Sequence, residues 1–292
     1  MHSFTIKDLE NLSGIKAHTI RIWEQRYSFL KPSRTGTNIR YYSNEELKKI
    51  LNVALLNKYG FKISHIDRMN DIEMKERILS LNQLEAQQER IVNSLIQSMI
   101  DFDMDSFETA LDNFIAVRGV EKTIFQIIFP FLEKIGVLWM TNHINPAQEH
   151  LVTNIIRQKI IMGIEGAASR IKNGKSVLLF LPEGEYHELG LLFINYILKS
   201  KGVNTIYLGC SIPVNDVDYL IKHKRPDYLY THLTAVGPRF NLERFIAAAS
   251  TKFGETPMVI SGPFAQSYSK KVPTHIFFKR SLSEVMEFIA TL

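Results

Sequence analysis

At 292 residues the chain is roughly twice the size of an ordinary single domain. It is 45% hydrophobic and 22% charged, the makeup of a protein with buried cores, which excludes a disordered chain. No apolar stretch reaches the ~18 residues of a membrane helix, and a single cysteine, Cys210, excludes an internal disulfide framework and fits a reducing cytoplasm.

The net charge of +5 is concentrated at one end. Residues 1–70 hold twelve Lys or Arg against six Asp or Glu, so the rest of the chain carries −1. That block has the charge of a surface that neutralises phosphates. The opening MHSFTIKDLE lacks the basic-then-apolar pattern of a secretory leader.

In chain order, Thr5 caps a helix through Leu12, and Ser13-Gly14 breaks it. A second helix is expected over Ala17–Tyr27. Pro32 and Gly36 mark a loop, and Ile39–Tyr42 reads as a short extended piece. Ser43-Asn44-Glu45-Glu46 is a capping-box sequence opening a helix through Lys58; Gly60 ends it, and a short helix starts near Ser64. Two short helices across a glycine turn make a helix-turn-helix candidate. On the second, Ile20 and Trp23 face the core, while Lys16, His18, Thr19, Arg21 and Arg26 offer donors to a major groove and its phosphates. Arg34, Arg40 and Tyr42 are assigned to the same interface through a basic wing.

Three motifs in this stretch carry a resemblance: Thr19-Ile20-Arg21-Ile22-Trp23-Glu24, Leu30-Lys31-Pro32-Ser33-Arg34 and Arg40-Tyr41-Tyr42. Their order and spacing resemble those of the mercury-resistance-regulator (MerR) family of transcriptional regulators. The resemblance implies a winged helix-turn-helix over residues 1–75 that binds double-stranded promoter DNA.

Residues 71–172 are helical almost throughout, and 76–172 make the second module, with helices expected over Gln83–Ile100, Asp105–Ala116 and Val120–Met140, the last kinked or split at Pro130. Asn145-Pro146 opens a fourth through Ile171. Short connections between four helices point to a four-helix bundle. Trp139 continues the apolar stripe Ile128, Leu132, Ile135, and Glu149 lies in line with Val152, Ile156 and Ile160, where a carboxylate is costly without a partner or ligand. His150 is about 100° further round that helix.

Over residues 173–292 apolar runs alternate with helical stretches. Strands are expected at Val177–Leu181, Thr205–Leu208, Tyr228–Leu233, Met258–Ile260 and Ile276–Phe278, with helices near Leu189–Lys199, Val214–Lys222, Leu242–Lys252 and 282–291. This is the pattern of a doubly wound, Rossmann-like α/β domain with a parallel sheet. His187 follows the first strand, where ligands of open α/β sheets bind. Glu185, two positions earlier, can hold one ring nitrogen and leave the other for a metal. Gly190 lets a bulky planar ligand approach the helix start.

Trp139, nine residues, then Glu149-His150, together with Glu185-x-His187-x-x-Gly190, resembles the cobalamin-binding modules of light-responsive regulators of carotenoid genes. The resemblance implies that His187 is the lower axial ligand to the cobalt of adenosylcobalamin, and that Trp139, Glu149 and His150 line the pocket of the adenosyl group. It implies that a stretch matched here by Thr231-His232-Leu233, and a glycine pair matched by Ser261-Gly262, hold the nucleotide tail. Where the light sensors often carry a histidine after the tryptophan, this chain has Met140, with His143 close by.

The expectation is therefore a cytoplasmic, non-enzymatic repressor, a homo-oligomer (dimer or tetramer) with no membrane partner, whose assembly and operator binding answer to adenosylcobalamin and light. Two alternatives stand beside it. One is a cobalamin-independent regulator answering to a protein partner or another ligand. The other is a cobalamin-dependent methyl carrier or enzyme component, although three modules leave no room in 292 residues for a further catalytic domain.

Overall fold

The computed structural model describes residues 4–140, 144–167, 172, 174–235 and 240–292, excepting the side chains of Val137, Met140 and Ser267. It divides into two compact units, Met1–Ile155 and Ile156–Leu292.

The first unit begins with α1 (Ile6–Ser13) and α2 (Ala17–Arg26), then a hairpin of β1 (Ser33–Arg34) and β2 (Arg40–Tyr41), then α3 (Asn44–Lys58), α4 (Ile63–Ile66) and α5 (Asp71–Leu79). Thr5 caps α1 through a capping box with Asp8, and Ser43 caps α3 through one with Glu46, so local hydrogen bonding fixes both starts. Gly14 takes φ +75° at the end of α1, the left-handed cap that lets the chain turn into α2. Phe4 pairs with Tyr42 in an antiparallel bridge, which ties the N-terminus to the base of the hairpin. Phe4, Leu9, Leu12, Ile20, Trp23, Leu30, Tyr42, Leu47 and Ile50 form a buried core. Each large apolar side chain removed from water contributes about 1.5–3 kcal/mol.

Helices α6 (Leu84–Asp101) and α7 (Met104–Thr123), a π turn at Ile124–Ile128, α8 (Phe129–Met140) and α9 (Pro146–Gly166) follow. The expected break between the second and third helices falls at Gly119, whose backbone leaves the helical region. Pro130 does not split α8 in its middle. It is the second residue of α8, two after the π turn ends, where a wider hydrogen-bond ring relieves the missing N–H. α6 packs on α7, the π turn, α8 and α3, and Phe107 meets Phe131 edge-on at 5.3 Å. Gln148, near the start of α9, donates to the carbonyls of Met99 and Ile100 at the end of α6 (3.2 and 3.4 Å).

The second unit contains β3 (Ser176–Pro182), α10 (Leu189–Ser200), β4 (Asn204–Ile212), α11 (Val214–Lys224), β5 (Tyr228–His232), α12 (Leu242–Lys252), β6 (Met258–Ser261), α13 (Pro263–Ser267), β7 (Ile276–Phe278) and α14 (Leu282–Ala290). All five strands are parallel, in the order β4-β3-β5-β6-β7. Each expected strand is present. β4 is longer than expected and includes Cys210, read from the sequence as lying after it. Leu178, Phe180, Leu229, Leu233 and Ile260 pack with Val217, Phe245, Ile246 and Phe253 to form one layer of the core. On the other side of β5, Tyr230 stacks on Phe288 of α14 at 6.4 Å. The order reverses between β3 and β5, the position where doubly wound sheets open a crevice at the strand ends.

Among the described residues no helix is long and apolar enough to cross a membrane.

Candidate functional site

At the N-terminal end, α2 presents Lys16, His18, Arg21 and Arg26 to solvent, with Thr19 half-buried, while Ile20 and Trp23 are buried beneath. The separation follows from helical periodicity: residues three and four apart share a face. Arg34 is exposed on the hairpin and donates to Asn38 Oδ1 at 2.8 Å across its tip. Arg40 and Tyr42 differ from the sequence expectation. Tyr42 is wholly buried and its hydroxyl donates to Glu24, so it cannot meet DNA directly. Burial, and the hydrogen bond to Glu24, push its phenol well above the usual value. Arg40 is half-buried and its Nε donates to the same carboxylate at 2.9 Å. Glu24 therefore clamps the hairpin onto α2. Sequence reading quoted it only as part of a motif, although a carboxylate on the core side of a basic helix was the available signal.

In the first unit, Trp139 lies near the end of α8 and is 45% exposed, although Ile128 and Ile135 on the same stripe are buried. Glu149 is half-buried and His150 exposed, with His150 Nδ1 3.6 Å from Glu149 Oε2. The stripe that Glu149 extends is buried at Val152, Ile156 and Ile160 and emerges at Glu149; the fully buried polar residue there is Gln148. His143 and the Met140 side chain lie outside the described residues.

In the second unit, Glu185 is fully buried at the crevice after β3. Its Oε1 accepts from the backbone N–H of His187 (2.8 Å) and from His187 Nδ1 (2.6 Å); its Oε2 accepts from the backbone N–H groups of Thr234 (2.9 Å) and Ala235 (3.0 Å). One carboxylate thus ties the loop after β3 to the loop after β5. Burial raises its pKa, but the hydrogen bonds from His187 and Ala235 outweigh it and hold the carboxyl below its ordinary value. The carboxylate fixes the proton on Nδ1, so Nε2 carries the lone pair that a metal takes. The imidazole is half exposed. This donor set fits an axial ligand to a cobalt already held by a corrin ring.

The next residue, Glu188, was not singled out from the sequence. It accepts from Tyr207 Oη (2.9 Å) and pairs with Arg157 of α9 (2.6 Å). Burial and the adjacent Glu188 push the Tyr207 phenol far above its usual value.

The residues expected to hold a nucleotide tail lie differently. Thr231, Leu233 and Ser261 are all buried, and Leu233 belongs to the core layer on α11 and α12. Because side chains alternate along a strand, Tyr230 and His232 face the opposite layer. A Cβ on Gly190 would meet His232 Cδ2 at 2.4 Å and Nε2 at 2.5 Å, so the room that this glycine opens holds the His232 ring. His232 Nδ1 shares a 2.9 Å hydrogen bond with Ser261 Oγ, which also accepts from Tyr230 Oη (2.8 Å). Burial lowers the His232 pKa to about 4, so the ring is neutral at pH 7. Gly262, at φ +97°, lies against the backbone of Leu233, 2.4 Å from its carbonyl oxygen to an added Cβ.

Residues 4–71 match the family described as "MerR HTH family regulatory protein", and residues 91–162 match "B12 binding domain". The chain thus joins a MerR-type helix-turn-helix segment to a B12-binding segment. It is similar to two Myxococcus xanthus proteins. It is 27% identical to the HTH-type transcriptional repressor CarA, over 91% of this chain and 89% of that protein. It is 25% identical to the repressor CarH, over 94% and 95%. The second family match falls on α6–α9 rather than on the sheet. The fold is also like that of the monomethylamine corrinoid protein of Methanosarcina barkeri, with a TM-score of 0.57 and 13% identity over 70% of this chain and all of that one.

Proposed function

We propose that this regulator is a cytoplasmic, homo-oligomeric transcriptional repressor that binds promoter DNA through α2 and the β1–β2 hairpin, and whose DNA binding is set by adenosylcobalamin. Three modules serve this reading: residues 1–75 for DNA, a four-helix module over 76–172, and the sheet domain over 173–292. The observation that carries it is the Glu185–His187 pair at the crevice after β3, in a chain that opens with a MerR-type helix-turn-helix. When bound there, adenosylcobalamin would supply a cobalt centre with a light-sensitive cobalt–carbon bond. His187 Nε2 would hold the cobalt, and Glu185 would keep the proton on Nδ1 and the ring oriented. Trp139, Glu149 and His150 are assigned to the adenosyl group. A DNA-binding oligomer gains affinity by linking sites, so a ligand that alters assembly alters occupancy.

The test is spectroscopic. Full-length protein mixed with adenosylcobalamin in darkness retains it with the spectrum of histidine-ligated cobalt. His187→Ala lowers retention at least ~10-fold, the loss typical of even an outer-shell partner, without changing the melting profile. Equal uptake by wild type and variant contradicts the assignment.

A further inference from the structure

The Glu185–His187 loop fits an axial cobalt ligand, whereas the space beside Gly190 is already taken. We infer that His232 is a specificity-determining plug: it fills the cleft between β5 and the start of α10, so that the domain discriminates against a corrinoid carrying a bulky nucleotide on its lower face and favours one without it. The inference rests on the cobalamin reading of His187, because it concerns what the same ligand carries below the ring.

Three features hold the plug in place. The imidazole lies within 2.4–2.5 Å of where a Cβ on Gly190 would be, which leaves no room between strand and helix. Its Nδ1 is held by Ser261 Oγ at 2.9 Å, and that hydroxyl is itself held by Tyr230 Oη at 2.8 Å. Tyr230 is fully buried and stacked on Phe288, so the anchor at the far end does not move with solvent. Among the described residues the opposite face of β5 is closed. Thr231 and Leu233 are fully buried there, and Gly262 closes on the Leu233 backbone. A nucleotide tail can enter only if the His232 ring rotates out, and a ligand that needs a minor conformer binds more weakly in proportion to that conformer's rarity.

The probes are aquocobalamin and diaquocobinamide, which share the corrin ring and cobalt but differ in the nucleotide. Dissociation constants for the full chain are measured by equilibrium dialysis, and the ratio of cobalamin to cobinamide is compared between variants. The comparison of ratios cancels the cost of detaching cobalamin's own base from cobalt. His232→Ala lowers that ratio about tenfold, a difference of ~1.4 kcal/mol. Ser261→Ala keeps the ring but removes its tether, and lowers the ratio by a smaller factor; it carries the test if His232→Ala does not fold. His187→Ala, which removes the protein's donor to cobalt, weakens both ligands. A ratio that is the same in wild type, His232→Ala and Ser261→Ala, with both corrinoids bound, overturns the plug while leaving the corrinoid reading intact. Binding of neither corrinoid to any of these proteins overturns both.

Discussion

The imidazole of His232 occupies the space that a side chain on Gly190 would need, with its Cδ2 2.4 Å from the position of a Cβ. The glycine is thus required by packing inside the domain whatever else approaches it. Gly190→Ala forces the half-buried ring from its hydrogen bond with Ser261 and destabilises the second unit by about 1–3 kcal/mol, the usual cost of overpacking. In a His232→Ala background the same change costs much less, giving a coupling of roughly 0.5–3 kcal/mol in a double-mutant cycle. Urea unfolding of the four proteins measures it. Equal losses in both backgrounds contradict the contact.

Glu24 joins α2 to the hairpin through Arg40 Nε and the buried Tyr42 hydroxyl. Glu24→Ala strands that hydroxyl in the core and costs about 1–3 kcal/mol of stability. Tyr42→Phe removes the donor together with its need, costs about 0.5–1.5 kcal/mol, and leaves DNA affinity nearly unchanged because the ring never reaches the surface. Arg21→Ala, on the exposed face of α2, keeps stability and weakens binding by ~1–3 kcal/mol if the guanidinium reads a base. DNA titrations beside thermal melts separate the three. A Tyr42→Phe protein that binds DNA as poorly as Arg21→Ala contradicts the clamp.

Glu185 links proton binding to stability. Its folded pKa lies below the ordinary 4.5, so its contribution is fully present above that value and is lost as pH falls through the lower folded value. Glu185→Gln turns an amide N–H2 toward groups that only donate, and costs about 1–3 kcal/mol near neutrality. The difference in unfolding free energy between wild type and variant should stay constant from pH 7 down to about 5 and shrink below it. A difference that grows on acidification contradicts the direction.

Local chemistry made much of this legible in the sequence. The capping boxes at Thr5 and Ser43, the five apolar strands, and a carboxylate two residues before a histidine are all short-range signals. Signals between distant residues were not legible. Glu24 lies 16 residues before Arg40, and His232 lies 42 residues after Gly190, and no periodicity encodes such meetings. Two expectations failed through strand parity. Tyr41 is the exposed neighbour and Tyr42 the buried one, and along β5 it is His232, not Thr231 or Leu233, that meets Gly190. In a strand a shift of one residue moves every side chain to the other face. The strand order is likewise absent from any local pattern, yet it places Glu185 within reach of Thr234 and Ala235.

Light is where this chain departs from the pattern it resembles. Met140 ends α8 in the position where the light sensors often have histidine. A thioether is a softer and weaker donor for oxidised cobalt than an imidazole. After illumination of the adenosylcobalamin complex, water or an external ligand is expected above the cobalt, with oligomer dissociation weak or reversible. Met140→His should give a stable two-histidine adduct and fuller dissociation. Absorption spectra and size-exclusion profiles of both proteins, dark and lit, check it. A wild type that forms the two-histidine adduct as stably as Met140→His contradicts this account.

On the proposed function, one ligand, held by His187, sets the affinity of this chain for DNA. The direct measurement is the dissociation constant for a DNA fragment selected by the protein itself, taken in darkness with and without saturating adenosylcobalamin. A change of about 5–150-fold, the usual range of coupling between two sites, is expected in wild type and none in His187→Ala. An identical constant in both conditions, from wild-type protein that has visibly taken up the ligand, would contradict it.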